Sequence, residues 1–338
     1  MNKKRKIVIA LAKDEISRND TLDALRCSVS VEHALCERDW KVEKIFIEKE
    51  DLKCRETIKE KIHTTQASCI FNLFEGFSDE SHKEGEFAAI LEEMEIPFTG
   101  NSSNTLGICL NKSLVKDLLM INHISVPEGI FIDDLQSLRL DGLQFPLFIK
   151  PNFEDASLGI DKHSFVTNKE DLLSALTQKL RDFPSGVVVE EFISGKEYNV
   201  GLIGNFPYKI LGISVTDYSQ YKSFSPFLSY SAKWDSNTPE FKKIVPVVND
   251  PIAPGLRKRI IDSAIKAGEV LNCRNYFRVD LRQQGNELFV LDVNPNPDIN
   301  QDSGFIKQAF YKGYTYGEII EKIINFVNDP LDDRAGVC

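Results

Sequence analysis

The sequence predicts an α/β domain built on an open parallel sheet, followed by two α+β lobes, and three observations carry that expectation. Residues 7–12 (IVIALA), an amphipathic stretch at 21–39 and a second β-run at 42–47 together make a βαβ unit. From residue 124 the pattern changes to short β-runs with one helix among them. Residues 276–305 (YFRVDLRQQGNELFVLDVNPNPDINQDSGF) then hold two alternating runs around a short polar break, the pattern of a hairpin.

Taken in order, the basic cluster Lys3, Lys4, Arg5 and Lys6 precedes the first apolar run. That run is too short for a signal peptide and meets Lys13, Asp14 and Glu15 without a cleavage-like site, so a first strand is expected. Residues 69–74 (CIFNLF) read as a buried strand ending at Glu75 and Gly76, residues 84–94 as a helix, and 96–99 as a short strand or extended link. The segment 1–105 therefore reads as the open parallel sheet, with ligand sites expected at the carboxyl ends of its strands, near Ala12 and Glu75.

A polar break at 101–104 is followed by a helix at 105–122, with Lys112 and Lys116 at i, i+4, a pair that by itself suits a solvated face. Strands at 129–132, 146–150, 164–167 and 187–192, with a helix at 169–180, make a central lobe over 106–205. The remaining lobe, 206–338, has a strand at 209–215, an irregular stretch at 216–249, a helix at 254–272, the hairpin and a terminal helix at 316–328. Loops are expected at 223–226, 234–239 and 329–338.

A chain of 338 residues suits two or three such modules, and 42% hydrophobic with 27% charged residues fits a soluble globular protein. Forty-one basic against 51 acidic residues give a formal charge of -10, which opposes non-specific binding to nucleic acid or anionic membrane and favours small metabolites as partners. The seven cysteines (27, 36, 54, 69, 109, 273 and 338) are scattered and lack zinc-type pairing, which fits reduced thiols and a cytoplasmic location. No stretch approaches the eighteen or so apolar residues of a membrane span.

The hairpin concentrates the chemistry. Val279 and Leu281 fall on one face and Arg278, Asp280 and Arg282 on the other, while Asp292 and Asn294 share a face of the second strand. A loop of odd length (Gln284, Gly285, Asn286) would set Arg278 opposite Asp292 with Asp280 diagonal to it; a two-residue turn would send the acids to opposite faces, so the odd loop is expected. Two carboxylates on one patch repel unless a cation joins them, and Asp, Asp and Asn are the hard oxygen donors that Mg2+ takes alongside phosphate. Such a pattern alone more often marks a surface hairpin whose acids pair with Arg278 and Arg282. The irregular polar run that follows, with Pro295, Pro297 and residues 298–304, favours a site.

Four pieces in order, residues 101–116 (NSSNTLGICLNKSLVK), 145–160 (FPLFIKPNFEDASLGI), 187–199 (VVVEEFISGKEYN) and the hairpin, resemble the ATP-grasp superfamily and, within it, the D-alanine:D-alanine ligase family. The similarity spans about residues 69–322. It implies an ATP-grasp fold in which a nucleotide is clamped between two α+β lobes, and a reaction that joins a carboxylate to an amine through an acyl phosphate with release of ADP and phosphate. It also implies ATP and a pair of Mg2+ ions, or Mn2+ in their place, as cofactors, small-molecule carboxylate and amine substrates, no nucleic-acid or membrane partner, and a homodimer. By the same resemblance Lys112 and Lys150 contact phosphate and Ser157 belongs to the phosphate loop. Adenine lies along residues 190–193, Glu190, Glu191 and Ile193 included, and Glu197 accepts the ribose hydroxyls. Asp280, Asp292 and Asn294 hold metal. Arg278, with an amide near Asp298, steadies the oxyanion; Ser303 binds substrate carboxylate; Lys233 reaches the transferred phosphate.

The departures fall on the substrate side. A phosphate loop that usually reads E-G-S-S-x-G is here Glu154, Asp155, Ala156, Ser157, Leu158, Gly159; the lid tyrosine is Trp234, the histidine before glycine is Glu75, and Asp298 stands where a glycine is usual. Asp292 replaces a more frequent glutamate and Glu191 a lysine. Ala156 offers no side-chain hydrogen bond and an indole only donates, so the hydroxyl network that shuts the family's lid over a small amino acid is not expected. The glutamate that pairs with substrate amine has no secure counterpart, Asp20 being the nearest. The reading is therefore an ATP-dependent carboxylate-amine ligase acting on amino-acid-like or peptide substrates other than paired D-alanine. The alternatives are a D-alanine:D-alanine ligase with a drifted site, and a nucleotide-binding regulator without ligase activity.

Overall fold

The computed structural model describes residues 6–13, 19–140, 142–221, 223–248 and 251–327. Its elements begin with β1 (Lys6–Ala12), α1 (Asn19–Cys36), β2 (Lys41–Ile47), α2 (Lys49–Leu52), α3 (Arg55–Thr65), β3 (Cys69–Asn72) and α4 (Lys83–Glu93). Next come α5 (Ser103–Leu110), α6 (Lys112–Ile121), β4 (Gly129–Ile132), β5 (Leu147–Pro151), β6 (Phe165–Val166), α7 (Lys169–Asp182) and β7 (Val187–Glu191). The chain continues with β8 (Glu197–Ile203), β9 (Lys209–Thr216), α8 (Tyr230–Trp234), α9 (Pro239–Lys243), β10 (Val247–Val248) and α10 (Pro254–Val270). It ends with β11 (Tyr276–Gln284), β12 (Glu287–Asn294), α11 (Gly304–Tyr311) and α12 (Tyr316–Asn325).

β1 is apolar throughout because both of its faces are covered. It is the centre of a parallel sheet of order β2-β1-β3. Ile7, Ile9 and Leu11 pack with Val31 and Leu35 of α1 and Ile319 to Ile324 of α12, whereas Val8 and Ala10 pack with Ile58, Ile62, Phe74 and Phe87. One alternating strand thus binds α1 and α12 to one face and α3 and α4 to the other. The extended link at 96–99 joins through a parallel bridge of Phe98 to Ile70.

The second sheet, β4-β7-β5-β6, is antiparallel, with Leu172, Ala175 and Leu176 of α7 packed on Leu147, Ile149, Val187 and Val189. The third, β10-β9-β8-β11-β12, is also antiparallel, and Ile260, Ala264 and Ala267 of α10 pack on Val200, Leu202, Val279 and Leu281. In each sheet the alternate residues face a cleft between the two.

Several expectations need correction. The helix at 105–122 is two helices, broken at Asn111, whose side chain accepts from Leu114 N and caps α6. Lys112 therefore opens a helix, and Lys116 is 8% exposed, not solvated. The irregular stretch 216–249 contains α8, α9 and β10, and α11 follows the hairpin loop unannounced. β8, unread in the sequence, pairs with both β9 and β11. A boundary at 205/206 would cut β8 from β9, and we propose that the C-terminal lobe begins near Gly195.

The hairpin connection is also corrected. Gln284 pairs with Glu287, leaving a two-residue turn with Gly285 at φ +58, not an odd loop. The acids nevertheless share a face, because a bulge shifts the register between Asp280 and Leu281 and leaves Leu291 unmatched. Asp280 thereby stands directly opposite Asp292, and Arg278 opposite Asn294.

Candidate active site

A cavity of about 310 Å³ lies between the second and third sheets. Phe148, Phe192, Phe227, Leu228 and Tyr218 give it apolar walls, and Lys112, Lys150, Arg278, Asp280 and Asp292 give it charge. Flat apolar walls at one part and paired charges at another suit a nucleotide, whose base and phosphates make opposite demands.

Alternation in β5 and β7 aims Lys150 and Glu190 into this cleft. The Glu190 carboxylate is buried between Lys150 Nζ at 2.8 Å and Lys116 Nζ at 2.6 Å. Burial alone would raise the Glu190 carboxyl, but the two ammonium groups bring it below the ordinary range, while desolvation lowers Lys116. Lys150 also donates to the main-chain oxygen of the bulged Leu291 at 3.1 Å. The bulge that aligns the two acids thus supplies the acceptor that steers a lysine of the other lobe. Lys112 Nζ donates to the main-chain oxygen of Glu154 at the start of the phosphate loop.

Along the hinge, Glu191 N–H is taken by Glu128 O at 2.8 Å and Phe192 N–H by Pro146 O at 2.9 Å. The Glu191 carboxylate accepts from Gln144 N at 2.7 Å, which ties this side chain to the loop before β5. Glu197 accepts from Arg282 at 2.9 and 3.1 Å through one oxygen, and Asn199 reaches the other at 3.3 Å. Arg282 also donates to Ile193 O and Pro226 O and lies between the rings of Phe192 and Tyr218, about 5 Å from each.

On the hairpin, Arg278 grips Asp280 with two bonds of 2.7 and 2.8 Å, and Asn199 adds a third at 2.8 Å. The alternative of hairpin acids paired with hairpin arginines is thus met for Asp280, whereas Arg282 pairs outside the hairpin. Among the described residues Asp292 accepts from its neighbour Val293 N alone, at 3.1 Å, which leaves lone pairs toward the cleft. The donor chemistry fits a hard divalent cation: two carboxylates face each other across the strand pair, with the Asn294 amide two pairs further along on the same face. Among the described residues no cluster of three or more His, Cys, Asp or Glu is placed to hold a metal ion.

The phosphate loop is held in an unusual shape. Ala156 and Ser157 have φ of +49 and +65, followed by Gly159 at +74, so two side-chain-bearing residues sit in the left-handed region. The lid segment fastens this loop: Tyr230 N donates to Ile160 O at 2.9 Å and Trp234 Nε1 to Ala156 O at 2.9 Å. Lys233 Nζ lies 5.0 Å from the Trp234 ring centre, and desolvation followed by the nearby Arg278 charge lowers its pKa.

Behind the loop lies a second chamber of about 160 Å³, sharing Asp155, Ala156, Lys233, Arg278 and Gly304 with the first. Glu75, Trp234, Asn294, Asp298 and Ser303 line it, together with Asp23 and Glu84. Asn296 donates to Glu84 at 2.9 Å and Asn300 to Asp23 at 2.7 Å, so the loop after β12 joins α1 and α4 around it. Ser303 caps α11 by accepting from Ile306 N.

All the residues singled out from the sequence line one of these two chambers, except Asp20, whose side chain lies outside the described residues. The carboxyl end of β1 near Ala12 runs into residues that are likewise not described. Sequence reasoning missed Arg282 as a clamp, Lys116 as a buried partner, and Asp23 and Glu84 as wall residues. The one available signal was Lys116 itself, four residues from Lys112 on a helix that is apolar at Val115 and Leu119.

The family model described as D-ala D-ala ligase C-terminus matches residues 133–325. The D-alanine–D-alanine ligase of Bacillus anthracis is 28% identical over 245 residues, 72% of this chain and 75% of that relative. Among solved structures, D-alanine–D-alanine ligase from Bacillus anthracis complexed with ATP superposes with a TM-score of 0.75 at 22% identity, covering 95% of this chain and 97% of that one. VanG D-Ala:D-Ser ligase from Enterococcus faecalis does so with 0.74 at 18%, covering 96% and 100%. The two superpositions establish the fold.

Proposed function

The chain belongs to the D-alanine–D-alanine ligase family and has its ATP-grasp fold, an ATP-dependent ligase forming carbon–nitrogen bonds, and from that premise we propose that it joins substrates other than two D-alanines. The carrying observation is the pair of chambers that meet at Arg278 and the phosphate loop. The first is built for a nucleotide and the second is rebuilt at Glu75, Ala156, Trp234 and Asp298.

In this reading adenine lies between the apolar walls with the main chain at Ile193 pairing to its edge, and Glu197, oriented by Arg282, accepts the ribose. Lys150, Lys112 and the loop at Ser157 hold the phosphates. Asp280, Asp292 and Asn294 would hold Mg2+, which supplies neutralisation of phosphate charge. A substrate carboxylate oxygen attacks the terminal phosphorus and ADP leaves. The amine then attacks the acyl carbon, the C–N bond forms as the C–O bond to phosphate breaks, and the phosphate departs with the electron pair and the spare proton. Arg278 would face the oxyanion of that step, Lys233 the transferred phosphoryl group and Ser303 the substrate's polar end. The lid over Ala156 excludes water from the acyl phosphate.

The experiment is a panel of acid and amine pairs, D-alanine among them, assayed for ADP, AMP and phosphate with mass spectrometry of products. ADP with an amide product from a pair other than two D-alanines is expected. AMP with the true substrates would overturn the acyl-phosphate route, and D-alanine as the best substrate on both sides would favour the drifted ligase.

A further inference from the structure

The second chamber, taken as the substrate half of the site proposed above, is lined by the carboxyl groups of Asp23, Glu75, Glu84, Asp155 and Asp298 against the cations Lys233 and Arg278. Arg278 is committed to Asp280 through two bonds. Lys83, a base nearby in the chain, pairs with Glu86 at 2.9 Å. Arg26 approaches Asp23 only to 3.4 Å, with its side chain 73% exposed at the rim. The side-chain amides of two asparagines also hold three of the acids: Asn296 donates to Glu84, and Asn300 to Asp23 and Asp298. They orient the carboxylates without cancelling charge, so the wall formed by Asp23, Glu75 and Glu84 favours a cationic group.

We infer that the chamber takes an amine substrate carrying a second cationic nitrogen, of the diamine or amino-guanidine class, with one nitrogen reacting and the other anchored among Glu75, Glu84 and Asp23. The reacting nitrogen attacks as the free amine, so a lone ammonium could not serve both purposes.

The protonation of the acids agrees. Enclosure, then Asp298, pushes Asp23 up to about 6 despite Arg26 and Asn300, with Asp302 adding to the rise. Enclosure and Asp155 push Glu84 to about 8 against Asn296. Glu75 faces cavity solvent but is set deep in the cleft, and that enclosure, followed by Glu84, Asp155, Asp298 and Asp23, raises it well above the carboxylate range. A dication relieves this repulsion and displaces protons as it binds.

The test uses the full chain and isothermal titration calorimetry at pH 7 in two buffers of different ionisation enthalpy, with 1,4-diaminobutane and agmatine as probes and 1-aminobutane and D-alanine as controls. The dications should bind at least tenfold more tightly than the controls and release protons. Glu75→Gln and Glu84→Gln should each weaken them tenfold or more while ATP binding, which reports an intact fold, stays within twofold. Equal affinity for 1-aminobutane or D-alanine, or undiminished dication binding in both variants, overturns the inference. Turnover is read separately: dication binding with these signatures but no ADP from any acid and amine pair would sink the ligase reading and sustain the chamber's preference. Ligation of neutral amines with no preference for dications would do the reverse.

Discussion

Trp234 donates its indole N–H to the main-chain oxygen of Ala156 at 2.9 Å, and Ala156 is one of the two loop residues held at positive φ. The lid is thus fastened to the phosphate loop by a side chain that can only donate, acting on an acceptor that any residue at 156 would present. The side-chain hydroxyl network excluded by the sequence is replaced by a backbone link.

Trp234→Phe keeps the ring and removes the donor. A bond of this kind contributes about 1 kcal/mol, so the closed lid should lose roughly fivefold in population. The measurable result is a rise of that order in ATP hydrolysis uncoupled from product. If coupling is unchanged, the bond does not hold the lid.

Asp292→Asn removes one of two facing carboxylates while leaving the Arg278–Asp280 pair whole. The Mg2+ concentration for half-maximal turnover should rise by roughly 10–100-fold, by analogy with losses of metal-site partners, with the melting temperature little changed. Asp280→Asn should show the same rise but be less stable, since it deprives the half-buried Arg278 of its partner. Normal activity of Asp292→Asn at low Mg2+ would remove this residue from the metal site.

Glu190→Gln leaves the two ammonium groups of Lys116 and Lys150 facing each other without their anion. Breaking such a buried arrangement costs about 3–5 kcal/mol. Denaturant unfolding should show a loss of that size. A loss under about 1 kcal/mol would mean that water or rearrangement replaces the carboxylate.

Glu84 sets a pH dependence of stability. Its folded value of about 8 lies above the ~4.3 of an unfolded chain, so between those limits the folded state binds more protons than the unfolded one. Stability from this group is therefore full below the unfolded value and is lost as pH rises toward the folded one. The melting temperature of the ligand-free protein should fall from pH 6 to 8.5, and Glu84→Gln should flatten that segment. An identical slope in the variant would show that Glu84 is not the group responsible.

Much of this was legible in the chain itself. The unbroken apolar run of Ile7 to Leu11 specified a strand covered on both faces, and the spacing of Arg278, Asp280, Asp292 and Asn294 suggested a metal-type pair, because side-chain direction in a strand follows residue parity. Parity also shows where local reading fails. With a two-residue turn at Gly285 and Asn286 the acids should part, and only the bulge at Leu291 brings Asp280 back opposite Asp292. Nothing local announces that bulge; its freed carbonyl is taken by Lys150 from another sheet. In the same way Lys116 looks like a solvated lysine until Glu190, 74 residues on, is packed against it. The acidity of the second chamber comes from α1, the end of β3, α4, the phosphate loop and the loop after β12, and only folding brings those five segments within reach of one another. The sequence by itself determined most of the elements and the family, since these depend on short-range periodicity and fixed spacing. The tertiary structure alone decided register, the contact of Trp234 with Ala156 and the charge of the second chamber, since these depend on groups far apart along the chain that meet only when the sheets close on the cleft.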